Sequence, residues 1–174
     1  MAGSSSEIHL QHLKRHGLFH GFEQEDLFTL MSRMREARYH TGDRILSEGE
    51  TGDRLYLIVE GGVEVRKRLE ATDAATGSNP EETIAWLGTG ETFGEMALVD
   101  RMPRSASIYA TKPTTALCLM LDDLENFESL KASIYVQLLR NLSAALSQRL
   151  RRLDQNYAHS LFAIRQSQPP FSRG

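Results

Sequence analysis

The stretch GDRILSEGETGDRLYLIVEGGVEV, residues 42–65, decides the fold of this 174-residue chain. Glycines interrupt it every few residues, and the runs between them are rich in leucine, isoleucine, valine and tyrosine. Short runs of this kind between turn signals are typical of β-strands. The stretch therefore predicts strands at Arg44–Ser47 and Arg54–Glu60, and a third at Gly62–Arg68 that runs past its end.

The strand pattern continues downstream. Further runs predict strands at Glu82–Leu87, Ser105–Ala110 and Thr115–Leu121. Between the third and fourth predicted strands, Leu69–Glu81 (LEATDAATGSNPE) is polar and predicts an exposed loop. Many short strands separated by turn signals indicate a β-sandwich, a jelly roll or a barrel.

Helical periodicity flanks the strands on both sides. Before them, helices are predicted at Ile8–His16 and Gln24–Arg33. After them, Asp122–Asp123 can cap a short helix at Leu124–Glu128, and a longer helix is predicted from Lys131 to Phe162. The long helix carries one apolar stripe at spacings of three and four, formed by Leu139, Leu142, Leu146, Leu150, Leu153, Tyr157 and Leu161.

These patterns predict one main domain with extensions. An N-terminal tail and helix occupy residues 1–17, of which 1–6 are expected to be disordered. The β-rich domain spans 18–130, the long helix 131–165, and a disordered tail 166–174.

The composition excludes several classes of protein. Hydrophobic residues make up 40% of the chain and charged residues 25%, which is ordinary for a soluble domain. The net charge of −3 provides no positive field for nucleic acid or anionic lipid. Cys118 is the only cysteine, so a disulfide scaffold is excluded. No apolar run reaches the ~18 residues of a membrane span, and no secretory signal is visible, so a cytoplasmic protein is expected.

The segment TFGEMALVDRMPRSAS, residues 92–107, carries the chemistry. Gly94 lets the backbone approach a ligand closely, and a helical turn at Glu95–Leu98 would present free N–H groups to an anion. The guanidinium of Arg104 suits a phosphate. The carboxylate of Glu95 repels phosphate but suits a sugar hydroxyl. An anion clamp beside a hydroxyl acceptor predicts a ribose-phosphate site.

This segment resembles the phosphate-binding cassette of cyclic nucleotide-binding domains. That family includes the catabolite activator protein, the regulatory subunit of cyclic-AMP-dependent kinase and cyclic-nucleotide-gated channels. The resemblance covers roughly Leu18 to Leu153, and includes the quoted stretch and WLGTGETFGEMAL at Trp86–Leu98. It implies a mainly β fold with flanking α, namely an antiparallel β-roll or jelly roll (a double-stranded β-helix) with N-terminal helices and a long C-terminal helix. It also implies a regulatory domain that is not an enzyme and needs no cofactor or metal.

The resemblance implies roles for individual residues. Glu95 would accept from the ribose 2′-hydroxyl, and Arg104 would pair with the exocyclic phosphate oxygen. Ser105 leaves cAMP and cGMP both open, because a hydroxyl there can contact the phosphate and a syn guanine. The other expected ligand-binding residues are Phe93, Gly94, Met96, Ala97 and Ala106 at the cassette, Val65, Ile84 and Leu87 at the purine, and Arg149 and Arg152, with Asn156, on the helix that would close over the base.

The long helix also predicts partners. A helix of about 30 residues would extend beyond a small β-domain, so its stripe predicts a homodimer through this helix. In the catabolite activator family a DNA-reading module follows the helix, but only about twenty residues follow Leu153, so no DNA partner is expected. The expected function is a sensor of a cyclic purine nucleotide that repositions its C-terminal helix and signals to an unknown protein effector in trans.

Other interpretations of these features stay open. Glu95 and Arg104 could form a structural ion pair, and the domain could be a scaffold that kept the fold and lost the ligand. Four histidines at helical spacing, His9, His12, His16 and His20, could bind zinc, although a solvated helix face explains them as well. Cys118 lies in the apolar run ALCLML and is expected to be core.

Overall fold

The computed structural model describes residues 10–11, 13–69, 79–96 and 101–167, excluding the side chains of 127–130 and 163–167. Several predictions fall outside these residues. They are the tail at 1–6, the first part of the helix predicted at Ile8–His16, most of the loop Leu69–Glu81, the cassette residue Ala97, and 168–174 of the C-terminal tail.

Eight antiparallel strands form two four-stranded sheets, in the orders β1-β8-β3-β6 and β2-β7-β4-β5. With helices on both sides, this confirms the predicted antiparallel β-roll. The strands are β1 (Arg35–Tyr39), β2 (Arg44–Leu46), β3 (Arg54–Glu60), β4 (Gly62–Arg68), β5 (Glu81–Gly88), β6 (Thr92–Phe93), β7 (Ser107–Ala110) and β8 (Thr114–Met120).

Helices flank the roll. A 3-10 helix at Gly17–Phe19 and α1 (Gln24–Met31) precede the strands, and α2 (Leu121–Leu130) and α3 (Ala132–Ser167) follow them. The helix α2 begins at Leu121, so its two aspartates lie in the first turn rather than before it. With 36 residues, α3 is about 54 Å long.

Two apolar cores hold the roll and the helices together. Strand β3 is buried on both faces because its alternate side chains enter different cores. Tyr56 and Ile58 pack between the sheets, where Cys118 is also buried, as predicted. Leu55 and Leu57 pack against the helices. The helix-side core also contains Leu13, Leu18, Leu30, Leu124, Ile134, Leu138 and Leu142.

The turn between β3 and β4 requires glycine. Gly61 has a φ of +100°, and a Cβ there would lie 2.4 Å from Oγ1 of Thr114. The turn is thereby pressed against the start of β8, which fixes the register of the quoted stretch within the roll.

Candidate functional site

A cavity of about 310 Å³ opens where the cassette segment meets β2, β4 and α3. We call it the cassette cavity. Its volume lies at the lower end of the range of small-molecule sites. It is lined by Leu46, Val65, Gly94, Glu95, Met96, Met102, Pro103, Arg104, Ser105, Ala106, Ile108 and Arg149.

Gly94 allows the cassette backbone to approach an arginine side chain. Its φ is +77°, and a Cβ at this position would lie 2.8 Å from Nη1 of Arg104 and 3.0 Å from the carbonyl oxygen of Arg54. Any other residue would therefore displace the guanidinium. The glycine predicted to allow close approach to a ligand also allows close approach of Arg104.

Arg104 is a buried cation at the edge of this cavity. Only 7% of the residue is exposed, and its guanidinium donates to the carbonyl oxygens of Gly94 at 2.7 Å and Arg54 at 2.9 Å. It forms no ion pair with any carboxylate among the described residues. Burial lowers the pKa of the guanidinium, which still stays protonated at neutral pH. A buried charge without a counter-ion favours an anionic ligand.

Glu95 supplies the complementary group. The residue is 3% exposed, and Arg149 of α3 donates to its Oε1. The other carboxylate oxygen, Oε2, is buried and has no hydrogen-bond partner among the described residues. Because an unpartnered buried acceptor is costly, this oxygen favours a ligand that donates a hydrogen bond.

The cassette is also tied to the helices. Arg149 reaches Glu95 from α3 and donates to the carbonyl oxygen of Thr92 at 3.1 Å. Beyond the cassette turn, Arg101 has a φ of +53° and forms an ion pair with Glu125 of α2. A change in the cassette can therefore reach α2 and α3 through two charged contacts.

The geometry brings together a buried cation and a carboxylate oxygen, each without a partner among the described residues, and an apolar wall, which suits a sugar phosphate carrying a flat aromatic base. The cyclic nucleotide-binding domain family matches residues 36–129, more than half of the chain. The chain belongs to this family. Members of the family are regulatory rather than catalytic.

Individual relatives agree with this assignment. The chain is 36% identical over 149 residues to the cyclic AMP receptor protein of Thermus thermophilus, covering 82% of this chain and 61% of that one. It is 31% identical over 150 residues to the CRP-like cAMP-activated global transcriptional regulator of Mycobacterium tuberculosis, covering 86% and 62%. The chain thus spans about three fifths of the length of these relatives.

A solved structure agrees as well. The crystal structure of a cyclic nucleotide-binding domain from Methylobacillus flagellatus aligns with a TM-score of 0.72 at 32% identity, covering 84% of this chain and 78% of that one. The β-roll and its helices are therefore those of this family.

Three predicted ligand contacts do not line the cassette cavity. Ile84 is 59% exposed because it lies on the same outward face of β5 as Glu82 and Trp86, opposite to Leu87. Leu87 is buried between the sheets. The ring of Phe93 stacks on Tyr56 at a centroid distance of 4.8 Å, so it serves the core. That these side chains contact the ligand stays a prediction, and in this structure none of the three lines the cassette cavity.

The predicted capping residues differ in position. Arg149 lies between the cassette cavity and a second cavity of about 550 Å³ and lines both, whereas Arg152 lines only the second, which lies between the 3-10 helix, the β5–β6 turn and α3. We call this second one the helix cavity. Asn156 is exposed and lines neither cavity. In this helix position, only Arg149 of the three could contact a ligand in the cassette cavity.

Other lining residues were not predicted. Leu46, Met102, Pro103 and Ile108 complete the wall of the cassette cavity. Leu46 and Ile108 lie on the paired strands β2 and β7. Their alternation within predicted strands is a signal that could have placed them on the inner face.

The described part of the chain contains neither a cluster of metal ligands nor a helix that could span a membrane. There, no group of three or more His, Cys, Asp or Glu side chains could hold a metal ion, and His9 and His12 of the histidine set lie outside it. Among the helices described, none combines the length and apolar character needed to cross a bilayer.

Proposed function

We propose that this chain is a regulatory module that binds a 3′,5′-cyclic purine nucleotide, cAMP or cGMP, in the cassette cavity. One observation carries the proposal: Arg104 and Glu95 line the same cavity, and among the described residues the buried guanidinium has no carboxylate partner and one buried Glu95 oxygen has no hydrogen-bond donor. A cyclic nucleotide offers a single negative charge for the first and a ribose hydroxyl for the second.

Each polar group then has a defined role. Oε2 of Glu95 accepts from the ribose 2′-hydroxyl, and the N–H groups of Arg104 that do not bind carbonyl oxygens donate to the phosphate. Ser105 lies beside Arg104, with its hydroxyl 3.8 Å from the sulfur of Met96, and is free to turn toward the phosphate. Val65 and Ile108 contact the purine.

The relatives support the choice of ligand. Both bacterial relatives carry cyclic AMP in their names. The hydroxyl of Ser105 leaves cGMP as a second ligand, because it could bind a syn guanine. Comparing the two nucleotides is therefore part of the test.

The signal passes through α3. Arg149 of this helix binds the carboxylate of Glu95, which accepts from the ribose hydroxyl in this proposal. A bound nucleotide therefore either competes with Arg149 for that carboxylate or adds a second hydrogen bond to it. Ligand binding shifts the population of α3 positions to the extent that it binds one position more tightly. In this proposal the module acts in trans on a protein effector.

The distal part of α3 supplies a surface for self-association. Leu150, Leu153 and Tyr157 are 60%, 58% and 68% exposed and follow one another at spacings of three and four. Two such stripes bury each other in a helix pair. The module is therefore a homodimer through residues 150–157 of α3.

Calorimetric titration with cAMP and cGMP tests the proposal. The wild-type chain is expected to bind at least one nucleotide at micromolar concentration or below. Arg104→Ala is expected to weaken binding by about 30-fold or more, or about 2 kcal/mol, because it removes a charge-assisted contact. Arg151→Ala is the matched control, since Arg151 is exposed on α3 and lines neither cavity.

The absence of binding to either nucleotide would contradict the proposal. The domain would then be a scaffold that has the fold without the ligand, and the exposed stripe of α3 would be its remaining functional surface.

A further inference from the structure

The main chain beneath the phosphate-binding arginine is held by a second layer of contacts outside the cassette cavity. We propose that Glu48 and Lys67 are positioning residues that fix the main chain of Arg104 and Ser105. This inference rests on the proposed function, because it concerns the same site. Neither residue lines the cavity, so both act through the cassette backbone.

The loop after β2 holds Arg104 from both sides. The N–H of Gly49 donates to the carbonyl oxygen of Arg104 at 2.9 Å, and the N–H of Arg104 donates to the carbonyl oxygen of Glu50 at 2.8 Å. The position of this arginine's main chain therefore depends on the position of the loop.

Glu48 joins that loop to β4 and β7. Its Oε1 accepts from Nζ of Lys67 at 2.7 Å, and its Oε2 accepts from the N–H of Arg68 at 2.9 Å. Its own N–H donates to Oγ of Ser107 at 3.1 Å. A single side chain and its amide thus connect the loop to two strands, β4 and β7, at the base of the cassette.

Lys67 completes the connection to the cassette itself. Besides the carboxylate of Glu48, its Nζ binds the carbonyl oxygen of Ser105 at 2.8 Å. Only 17% of the Glu48 side chain is exposed, against 45% for Lys67. The hydrogen bond from Lys67 is the main cause that lowers the pKa of Glu48, so the carboxylate stays charged at neutral pH.

These contacts fix the two residues proposed to meet the phosphate. The guanidinium of Arg104 is already bound to the carbonyl oxygens of Gly94 and Arg54, and its main chain is bound to the loop. Lys67 prevents the next peptide from rotating away. Preorganised donors cost less to order when the ligand arrives, so losing Lys67 weakens binding without removing any ligand contact.

The test compares two neighbouring cations on β4. Lys67→Met removes the ammonium group, whereas Arg68→Met removes an equal charge from an exposed side chain whose backbone N–H, not its guanidinium, binds Glu48. In calorimetric titration with the nucleotide that binds more tightly, Lys67→Met is expected to raise Kd about fivefold, the size of one hydrogen bond. Arg68→Met is expected to stay within about twofold of the wild type, and Lys67→Arg to restore most of the loss.

A second readout works without nucleotide. Amide hydrogen exchange of the ligand-free protein reports local opening. The amides of Gly49 and Arg104 are expected to exchange several-fold faster in Lys67→Met than in Arg68→Met, with the same thermal midpoint in both variants.

The outcomes separate this inference from the proposed function. If the wild type binds neither nucleotide, the proposed function fails, and faster exchange at Arg104 still supports the positioning role. Equal exchange in the two variants overturns it. If the wild type binds a nucleotide, an equal Kd in the two variants also overturns the positioning role. A loss of affinity in Lys67→Met that is explained by a lower thermal midpoint overturns it as well.

Discussion

The two halves of α3 share one helical backbone but have opposite surroundings. In the first half, Ile134, Leu138 and Leu142 are no more than 2% exposed and pack into the helix-side core. In the second half, Leu153 and Tyr157 are more than half exposed. The same apolar periodicity therefore serves a core at one end and an open surface at the other.

Arg149 lies between these two halves and binds Glu95. Under the proposed function, Arg149 would link the packed half to the cassette, and the open half would be the surface for a partner. A single rigid helix with this division can carry a change at a small cavity to a surface far from it.

The substitution expected to have the largest effect on stability, and so to test the difference between the two halves of α3 most strongly, lies in the packed half. Leu138→Ala removes a side chain that is 1% exposed, so it leaves a cavity in the core. The expected loss in the free energy of unfolding is about 3 kcal/mol. Urea unfolding followed by circular dichroism measures it.

The matched control is the same substitution in the open half. Leu153→Ala is expected to change the free energy of unfolding of the monomer by less than about 0.5 kcal/mol. It is expected to weaken self-association by about 100-fold in sedimentation equilibrium, because each of the two copies loses a buried leucine that contributes about 1.5 kcal/mol. Comparable destabilisation by the two substitutions would refute the division of α3.

A smaller change in stability is expected when the pH is lowered. It comes from His16, at the N-terminal side of the packed half of α3. Burial lowers the pKa of His16 below its usual 6.5, although the carboxylate of Glu91 and the carbonyl of Gly90 oppose it. The folded state therefore favours neutral His16. Its contribution to stability is present above about pH 6.5 and is lost as the pH falls through the folded pKa.

Thermal unfolding between pH 7.5 and pH 5.5 measures this contribution. The wild-type Tm is expected to fall by about 2–4 °C more than that of His16→Gln, which keeps an acceptor for the Leu18 N–H but cannot titrate. His40→Gln, at an exposed site, serves as the control. An equal slope in all three proteins would show that folding does not change the pKa of His16, which contradicts the expected effect of its burial.

Much of the fold could be predicted because its signals are local. Strands β3 and β4 have the predicted bounds, since the pair Gly61 and Gly62 separates their apolar runs. Strand β1 (REARY) was missed because it is an edge strand with three charged residues in five. Strand β6 was missed because two residues are too few to form a pattern.

The residues of the site also divide into those that the local sequence predicts and those that it does not. Gly94, Glu95, Arg104 and Ser105 were predicted because they lie in one continuous segment, and all four line the cassette cavity. The purine wall depends on how distant strands pair. Ile84 and Leu87 are three residues apart on β5, so the alternation of the strand places them on opposite faces, and Ile84 lies on the exposed one.

The free oxygen of Glu95 is the most direct point at which to test the account. Calorimetry should compare cAMP with 2′-deoxy-cAMP, which lacks only the hydroxyl proposed to bind that oxygen. The wild type is expected to bind the deoxy ligand about tenfold more weakly, because a hydrogen bond to a charged acceptor is lost. Glu95→Ala is expected to bind both ligands equally. Equal binding of the two ligands by the wild type, or a preference that persists in Glu95→Ala, would contradict the account.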